Sequence, residues 1–166
     1  MRKWLILLFL PLILGVINFG IWQNEQLIEY GENVFLELAP VDPRSLMQGD
    51  YMALRFAMAD AIRQKISSNN DTITSSVIVQ LDTQKRASLV ALDQQQPLQD
   101  GQLRLQFRLR NGQIKFATNA FFFQEGTGRI YEKAQYGLFR VGEKGKLILT
   151  HLVDAELQKI GQPKLL

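Results

Sequence analysis

Cysteine is absent from this chain of 166 residues, and histidine occurs once, as His151. Disulfide bonds and thiolate chemistry are therefore excluded, and the folded part must be stabilised by its own apolar core. A lone histidine in the alternating segment KLILTHLV is typical of a strand residue rather than of a metal ligand. The sequence consequently predicts no metal site, no cofactor and no catalytic residue.

A strong net charge is also absent, because 19 Lys and Arg residues face 16 Asp and Glu residues. No basic cluster exceeds one face of a predicted strand, so nucleic acid is not predicted as a partner. The hydrophobic fraction of 46% and the charged fraction of 21% are ordinary for a globular protein. At this length they predict one folded domain rather than several.

Ionisable side chains are missing from residues 4–22, a run of 19 residues bracketed by Trp4 and Trp22. This length just spans the hydrocarbon layer of a bilayer, and tryptophans favour its two interfaces. Thirteen of the residues are Leu, Ile, Phe or Val, which favour insertion by about 4–8 kcal/mol before the penalties from Pro11, Asn18 and two glycines. The sequence therefore predicts a transmembrane anchor that contacts lipid through residues 4–22.

The flanking charges predict the orientation of this anchor. Arg2 and Lys3 precede the run, whereas residues 23–43 carry five acidic residues and no basic one. Since the positive flank stays in the cytoplasm, we expect a single-pass protein with its C-terminal domain in the periplasm or outside; in a bacterium, the anchor would lie in the inner membrane. A cleaved signal peptide and a buried soluble helix are the alternatives, but the run is long and lacks small residues at a cleavage site.

Three regions follow from this interpretation: a cytoplasmic N-terminus and anchor over residues 1–22, a short polar spacer over 23–32, and a β-rich domain over 33–166. Most segments of the domain alternate apolar and polar residues, as strands do. The predicted fold is mainly β (α+β): a transmembrane helix, then a small antiparallel β-sandwich or barrel-like domain with one or two short helices. Strands are predicted at residues 33–39, 50–58, 75–82, 86–93, 102–118, 119–124 and 136–153, and helices at 58–66 and 129–136.

Residues 102–118 have the clearest strand pattern and are predicted as one hairpin. Asn111 and Gly112 supply the positive φ angles that a two-residue type I′ turn requires. Four basic residues of this hairpin would share one sheet face, namely Arg104, Arg108, Arg110 and Lys115. A solvated face is one interpretation, and binding of anionic headgroups or polysaccharide close to the membrane is the other.

The segment VDPRSLMQGDYMALRF, residues 41–56, joins a turn to the start of an alternating strand. Pro43 favours the turn, Gly49 permits a backbone angle that a side chain would obstruct, and Asp50 can accept backbone hydrogen bonds or pair with an arginine. The Gly-Asp stretch beyond an anchor also resembles signal peptidases, but Val41 stands where their nucleophilic serine would be. A structural role and the binding of a partner or ligand are the two interpretations of this segment.

A closer resemblance is to the GDYXXLXY family of bacterial membrane-anchored proteins, whose motif is similar to GDYMALRF here. The approach PVDPRSL and the later segment FFFQEGTGR are also similar to segments of that family, and the resemblance covers residues 36–153. It implies two groups of binding or motif positions. The first is Pro43, Arg44, Gly49, Asp50, Tyr51, Leu54 and Phe56, where Phe56 replaces the tyrosine of the motif, and the second is Glu125, Gly126, Gly128 and Arg129.

The second motif segment has two chemical interpretations besides a plain tight turn. Its two glycines before a possible helix start could hold an anion on backbone N–H groups. Glu125 could also act with Asp50 as the acid and base of sugar hydrolysis, which requires two carboxylates. The three phenylalanines at residues 121–123 predict a buried strand rather than a docking patch, although three consecutive rings cannot all face one core.

The family resemblance brings no assigned reaction with it. Its members tend to be encoded beside multi-spanning membrane proteins, which implies an accessory role. We therefore expect a non-catalytic, membrane-anchored periplasmic protein that serves as an accessory or interaction subunit of an integral, multi-spanning membrane partner. The alternative is an envelope hydrolase, or a carbohydrate- or anion-binding module, that uses Asp50, Glu125 and the basic strand face.

Overall fold

The computed structural model describes residues 2–39, 47–48, 51–68, 75–110, 112–118 and 120–161. The described chain is β-rich with few helices, as predicted. Its helices are α1 (Arg2–Tyr30), α2 (Ala57–Ser68) and α3 (Gly128–Tyr131). Its strands are β1 (Glu32–Glu37), β2 (Met47–Gln48), β3 (Tyr51–Ala53), β4 (Ser76–Leu81), β5 (Ala87–Leu92), β6 (Gln102–Gln106), β7 (Arg108–Arg110), β8 (Gln113–Lys115), β9 (Ala120–Phe122), β10 (Tyr136–Val141), β11 (Leu147–Val153) and β12 (Lys159–Ile160).

The strands pair into small antiparallel sheets. The largest has the order β1-β10-β11-β12, and two three-stranded sheets have the orders β5-β4-β6 and β2-β3-β9. Strands β7 and β8 form a separate two-stranded hairpin. The predicted hairpins at residues 75–93 and 136–153 are both confirmed, as β4–β5 and β10–β11.

Backbone hydrogen bonds join these sheets around one core. The Phe35 N–H donates to the Lys85 carbonyl over 2.9 Å, and the Gln106 N–H donates to the Gly145 carbonyl over 2.8 Å. A third link runs from the Ala39 N–H to the Arg55 carbonyl, also over 2.8 Å. These bonds join sheets whose buried residues belong to one shared interior.

The alternating segments deliver their apolar residues to this core. Val34 and Leu36 of β1 are fully buried, and Met52, Leu54 and Phe56 follow each other at every second position with 2% exposure each. The prediction for these faces is therefore confirmed, although only residues 51–53 of the expected strand over 50–58 are assigned to a strand, and α2 begins at residue 57.

Phe56 packs edge-on against two other rings at the centre of the core. Its ring centroid lies 5.7 Å from that of Phe116 and 5.6 Å from that of Phe139. A buried aromatic pair in this orientation adds about 0.5–1.5 kcal/mol to the free energy that comes from burial alone. The three rings come from three separate parts of the chain, so Phe56 ties the motif segment to β10 and to the residue after β8.

Helix α2 confirms the helical period predicted for residues 58–66. Ile62 is fully buried, and Met58 and Ile66 pack against the core from the same helix face. The helix lies against β5 and β8. Asp60 in its first turn and Lys65 in its last turn also match the helix dipole.

The predicted single hairpin over residues 102–118 is wrong in its first half. Strand β6 pairs with β4, and only residues 108–115 form the hairpin β7–β8. The break falls at Phe107, whose side chain is buried and whose N–H donates to the Ser75 carbonyl over 2.7 Å. Gly112 has φ +72°, which fits the predicted tight turn, whereas residue 111 lies outside the described residues.

The helix predicted over residues 129–136 is shorter than expected. Helix α3 comprises four residues, Gly128–Tyr131, and a turn follows at residues 132–133. Strand β10 then begins at Tyr136, the last residue of the predicted helix. Tyr136 pairs with Glu37 of β1 and with Val153 of β11, so pairing on both sides favours the extended conformation there.

Helix α1 runs directly into the β domain. Residues 23–30, predicted as the polar spacer, are its last two turns, and Gly31 alone separates it from β1. Leu27 is 8% exposed, and its Cδ1 lies so close to Gly142 that a Cβ there would meet it at 3.0 Å. Over the part of the chain that the structure describes, no helix has the length and apolar content needed to cross a membrane. The anchor over residues 4–22 stays a prediction.

Replacing Phe56 by alanine should destabilise the fold by about 3–5 kcal/mol, because the cavity would lie between two rings that cannot close it. The measurement is denaturant unfolding of the full chain in mild detergent, followed by circular dichroism. Phe122→Ala is the matched control, since that ring is 50% exposed, and we expect it to cost about 1 kcal/mol or less. Equal losses in the two variants would contradict the central position of Phe56.

Candidate functional site

The described part of the first motif is mostly core. Tyr51 and Met52 lie in β3, the central strand of the sheet β2-β3-β9. Leu54 and Phe56 point into the interior, so the two apolar motif positions are packing residues. Pro43, Arg44, Gly49 and Asp50 lie outside the described residues, and the predictions made for them remain predictions.

Tyr51 carries the motif to the protein surface. It lies directly opposite Phe122 of β9, and the two ring centroids are 5.8 Å apart. Met52 and Phe121, the next pair along the same strands, are both buried. The alternation of β3 and β9 therefore places an aromatic pair, Tyr51 and Phe122, on the outer face of this sheet.

The second motif segment packs around one tyrosine. Tyr131 of α3 is buried, and the rings of Phe121 and Phe123 each lie 5.2 Å from its ring. Burial raises the pKa of the Tyr131 phenol, because the charged form would lose its hydration. Of the three consecutive phenylalanines, two therefore face the core and Phe122 faces outward, which confirms that they cannot share one environment.

Residues 125–127 form a turn that changes the direction of the chain before α3. Gly126 has φ +80°, a left-handed conformation that glycine adopts without strain. The Thr127 hydroxyl donates to the Gln124 carbonyl over 2.6 Å, which closes the turn. Glu125 and Arg129 are exposed, and α3 has only one turn beyond Gly128. These features match a plain tight turn. Neither Glu125 nor Arg129 lines the cleft beside α2 or the cleft beside the β7–β8 hairpin.

The four basic residues that were predicted to share one sheet face do not form one surface, and the prediction is wrong for Arg104. This residue lies in the sheet β5-β4-β6, whereas the other three basic residues lie on the hairpin β7–β8. Arg104 Nε is 3.0 Å from Asp93 Oδ2, and the Asp93 side chain is 6% exposed. The Ser76 hydroxyl donates to the same carboxylate oxygen over 2.9 Å. Arg104 therefore neutralises a buried acid and also donates to the Gln96 carbonyl.

A first cleft lies between the motif segment, α2 and β8, with a volume of about 350 Å³. Asp60 lies between two arginines in it, 3.9 Å from Arg55 and 3.4 Å from Arg63. All three side chains are more than half exposed, so these ion pairs contribute little to stability. The Asp60 carboxylate offsets part of the positive charge of the two arginines. Lys115 on β8 contributes a further positive charge to the cleft.

A second cleft, of about 500 Å³, lies on the other side of the β7–β8 hairpin. Its cationic residues are Arg108, Lys115 and Lys146. The sequence indicated the first two but not Lys146, because that residue comes from the β10–β11 turn and only the fold brings it to the hairpin. Asp93 was likewise missed as the partner of Arg104.

The described residues contain no candidate metal centre. Among the described residues, no three side chains of the ligand-forming types lie close enough to hold a metal ion. His151 is a strand residue of β11, as predicted. Burial, and secondarily the nearby Lys159, lower the pKa of its imidazole. Its Nδ1 atom is buried and has no hydrogen-bond partner among the described residues.

Comparison with protein-family models matches residues 13–152 to the family described as GDYXXLXY protein. The chain belongs to this family. Neither a curated protein nor a solved structure matches it. The GDYXXLXY match begins inside α1 and ends in β11, so it includes both motif segments and the junction between helix and domain.

Replacing Arg104 by glutamine should destabilise the domain by about 3 kcal/mol, the lower end of the cost of leaving a buried carboxylate without its partner. Thermal and urea unfolding of the full chain would measure this loss. Arg110→Gln is the matched control, because Arg110 is exposed on β7, and we expect a change within about 0.5 kcal/mol. If both variants unfold alike, Arg104 belongs to a solvated face after all.

Proposed function

We propose that this GDYXXLXY-family protein is a non-catalytic, single-pass membrane protein, held in the bacterial inner membrane by α1. Its β domain lies in the periplasm or outside and serves as an accessory or interaction subunit of an integral membrane partner. The observation that carries the proposal is the apolar surface of α1, which the β domain leaves uncovered.

Nine large apolar side chains of α1 between residues 9 and 22 have exposures of 49–68%. They are Phe9, Leu10, Ile13, Leu14, Val16, Ile17, Phe19, Ile21 and Trp22. Their spacing places them on every side of the helix, and a helix that is apolar all round requires apolar surroundings on every side. At 1.5 Å per residue, residues 4–22 extend over about 28 Å, close to the thickness of a hydrocarbon layer.

The junction supports a domain held at a fixed distance from the bilayer. Lys146 Nζ donates to Asn24 Oδ1 over 2.7 Å, and the Arg140 guanidinium donates to the Gly31 carbonyl over 2.8 Å. Leu27 is buried between these two contacts along the helix. We infer that the domain is a compact barrel-like or sandwich-like unit seated on the end of α1, close to the headgroups.

The aromatic pair of β3 and β9 is the docking surface that we assign to the integral partner. Aromatic side chains are enriched at the centres of protein interfaces, because they bury much area at little cost in conformational entropy. Phe122 is 50% exposed, and Tyr51 beside it is partly buried. Tyr51 and Phe122 also connect the two motif segments of the family across one strand pair. Among the alternative functions, anion binding has the basic clefts in its favour, whereas no described contact joins Glu125 to a second carboxylate.

Membrane insertion of the full chain is the first test. After expression in a Gram-negative host, the protein should remain in the membrane fraction after alkaline carbonate extraction. Leu14→Lys combined with Ile17→Lys should release it, because each lysine costs about 2.5–3.5 kcal/mol at the helix centre. Gln23→Lys, just beyond the apolar run, should stay inserted. Release of the unaltered chain by carbonate would refute the membrane proposal.

Partner docking is tested by a photo-crosslinking amino acid at position 122. We expect it to trap one integral membrane protein in intact cells, identified by mass spectrometry. The same probe at Gln99, an exposed loop position, is the control and should trap none. Equal trapping at both positions, or trapping at 99 alone, would rule out the Tyr51–Phe122 surface as the docking site.

A further inference from the structure

The second cleft holds two like charges directly opposite each other. Arg108 of β7 pairs with Lys115 of β8 in the antiparallel register, which places both side chains on the same face. Like charges in this arrangement repel and destabilise a hairpin. Neither residue forms an ion pair with any described residue, and Arg108 Nη2 donates a hydrogen bond to the Ala117 carbonyl over 3.2 Å. An anion between the two side chains would remove this repulsion.

Lys146 adds a third positive charge from the opposite wall. The Gln106 N–H donates to the Gly145 carbonyl over 2.8 Å, and Gln106 Nε2 donates to the Lys144 carbonyl over 2.9 Å. These bonds hold the β10–β11 turn against the end of β6 and thereby set the width of the cleft. The buried rings and methyl groups of Phe107 and Leu147 provide its apolar lining.

The charge of this cleft is uncompensated. No carboxylate of the described residues lines it, in contrast to the first cleft, where Asp60 lies between two arginines. Arginine and lysine side chains that converge on one space without an acid are the usual means of binding phosphate, since the guanidinium donates two parallel hydrogen bonds and the ammonium adds charge.

The position of the cleft identifies the source of such a phosphate. Lys146 contacts Asn24, which follows Trp22 by two residues and therefore lies about 3 Å further along the helix axis. If Trp22 lies at the interface, where tryptophan side chains concentrate, Lys146 reaches the layer of lipid headgroups. Basic side chains at this depth attract anionic lipids.

We propose that Arg108, Lys115 and Lys146 bind the phosphate of an anionic phospholipid headgroup in the leaflet next to the β domain. The proposal rests on the membrane insertion of α1. Bound lipid would fix the domain against the bilayer at a second point, the β7–β8 hairpin, in addition to the helix junction. The occupant is a phosphate-bearing lipid, and a free phosphate ion is an outcome of the test.

Native mass spectrometry of the full chain in mild detergent would measure lipid binding. Phosphatidylglycerol should give a saturable adduct that phosphatidylcholine does not give at the same concentration. Arg108→Gln and Lys115→Gln should each weaken this adduct by about tenfold, the effect of losing one charge-assisted hydrogen bond. Arg110→Gln removes the same charge from the same hairpin outside the cleft and should leave the adduct unchanged. Circular dichroism must show that all three variants fold.

Several outcomes would overturn the proposal. Two of them are equal adducts with both lipids and an equal weakening of the adduct by Arg110→Gln. The third is binding of inorganic phosphate as tight as that of phosphatidylglycerol, which would assign the cleft to a free anion. Carbonate extraction of the same variants separates this result from the membrane proposal, because Arg108→Gln should remain inserted. An unaltered chain that stays in the membrane yet gives no adduct specific to phosphatidylglycerol refutes the lipid site alone.

Discussion

The packing of Phe56 against Phe116 and Phe139 is the interaction on which the domain depends most. Phe56 leads into α2, Phe116 follows β8, and Phe139 lies in β10. The described sheets have two to four strands, and their buried residues belong to one shared core. Phe56 contacts rings from two distant parts of the chain, and the backbone bonds at Ala39 and Gln106 join further segments around the same core.

This arrangement accounts for an aromatic residue at position 56 of this chain. At Phe56 the ring is buried among hydrocarbon groups, where a phenolic hydroxyl would need a hydrogen-bond partner of its own. Phenylalanine has no such requirement, so the loss of the hydroxyl relative to the motif is compatible with the packing role. Leu54, two residues earlier, has the same orientation and the same burial. The described positions of the first motif therefore divide into two core residues, Leu54 and Phe56, and one partly exposed residue, Tyr51.

Sequence patterns predicted many of the buried residues and the local hairpins β4–β5 and β10–β11, but not the pairing of strands that are distant in sequence. Val34, Leu36 and Ile62 are buried as their spacing predicted, because a period of two or of about four determines a face locally. The split of residues 102–118 was not predictable, since β6 and β7 share one alternating pattern. Only the competition of β4 for β6, which depends on contacts distant in sequence, separates them at Phe107. The Arg104–Asp93 pair was missed for the same reason.

The direct joint between α1 and β1 has a mechanical consequence for both proposed surfaces. A flexible spacer would let the domain rotate, and neither the Tyr51–Phe122 pair nor the basic cleft would keep a constant height above the bilayer. Here Leu27 is buried in the domain while its helix continues toward Trp22, so any tilt of the helix moves the β domain with it. Because Lys146 contacts that helix and also lines the cleft, the cleft keeps its depth relative to the helix end. Under the proposed anchoring, this joint would hold the Tyr51–Phe122 pair and the basic cleft at fixed positions relative to the same helix end.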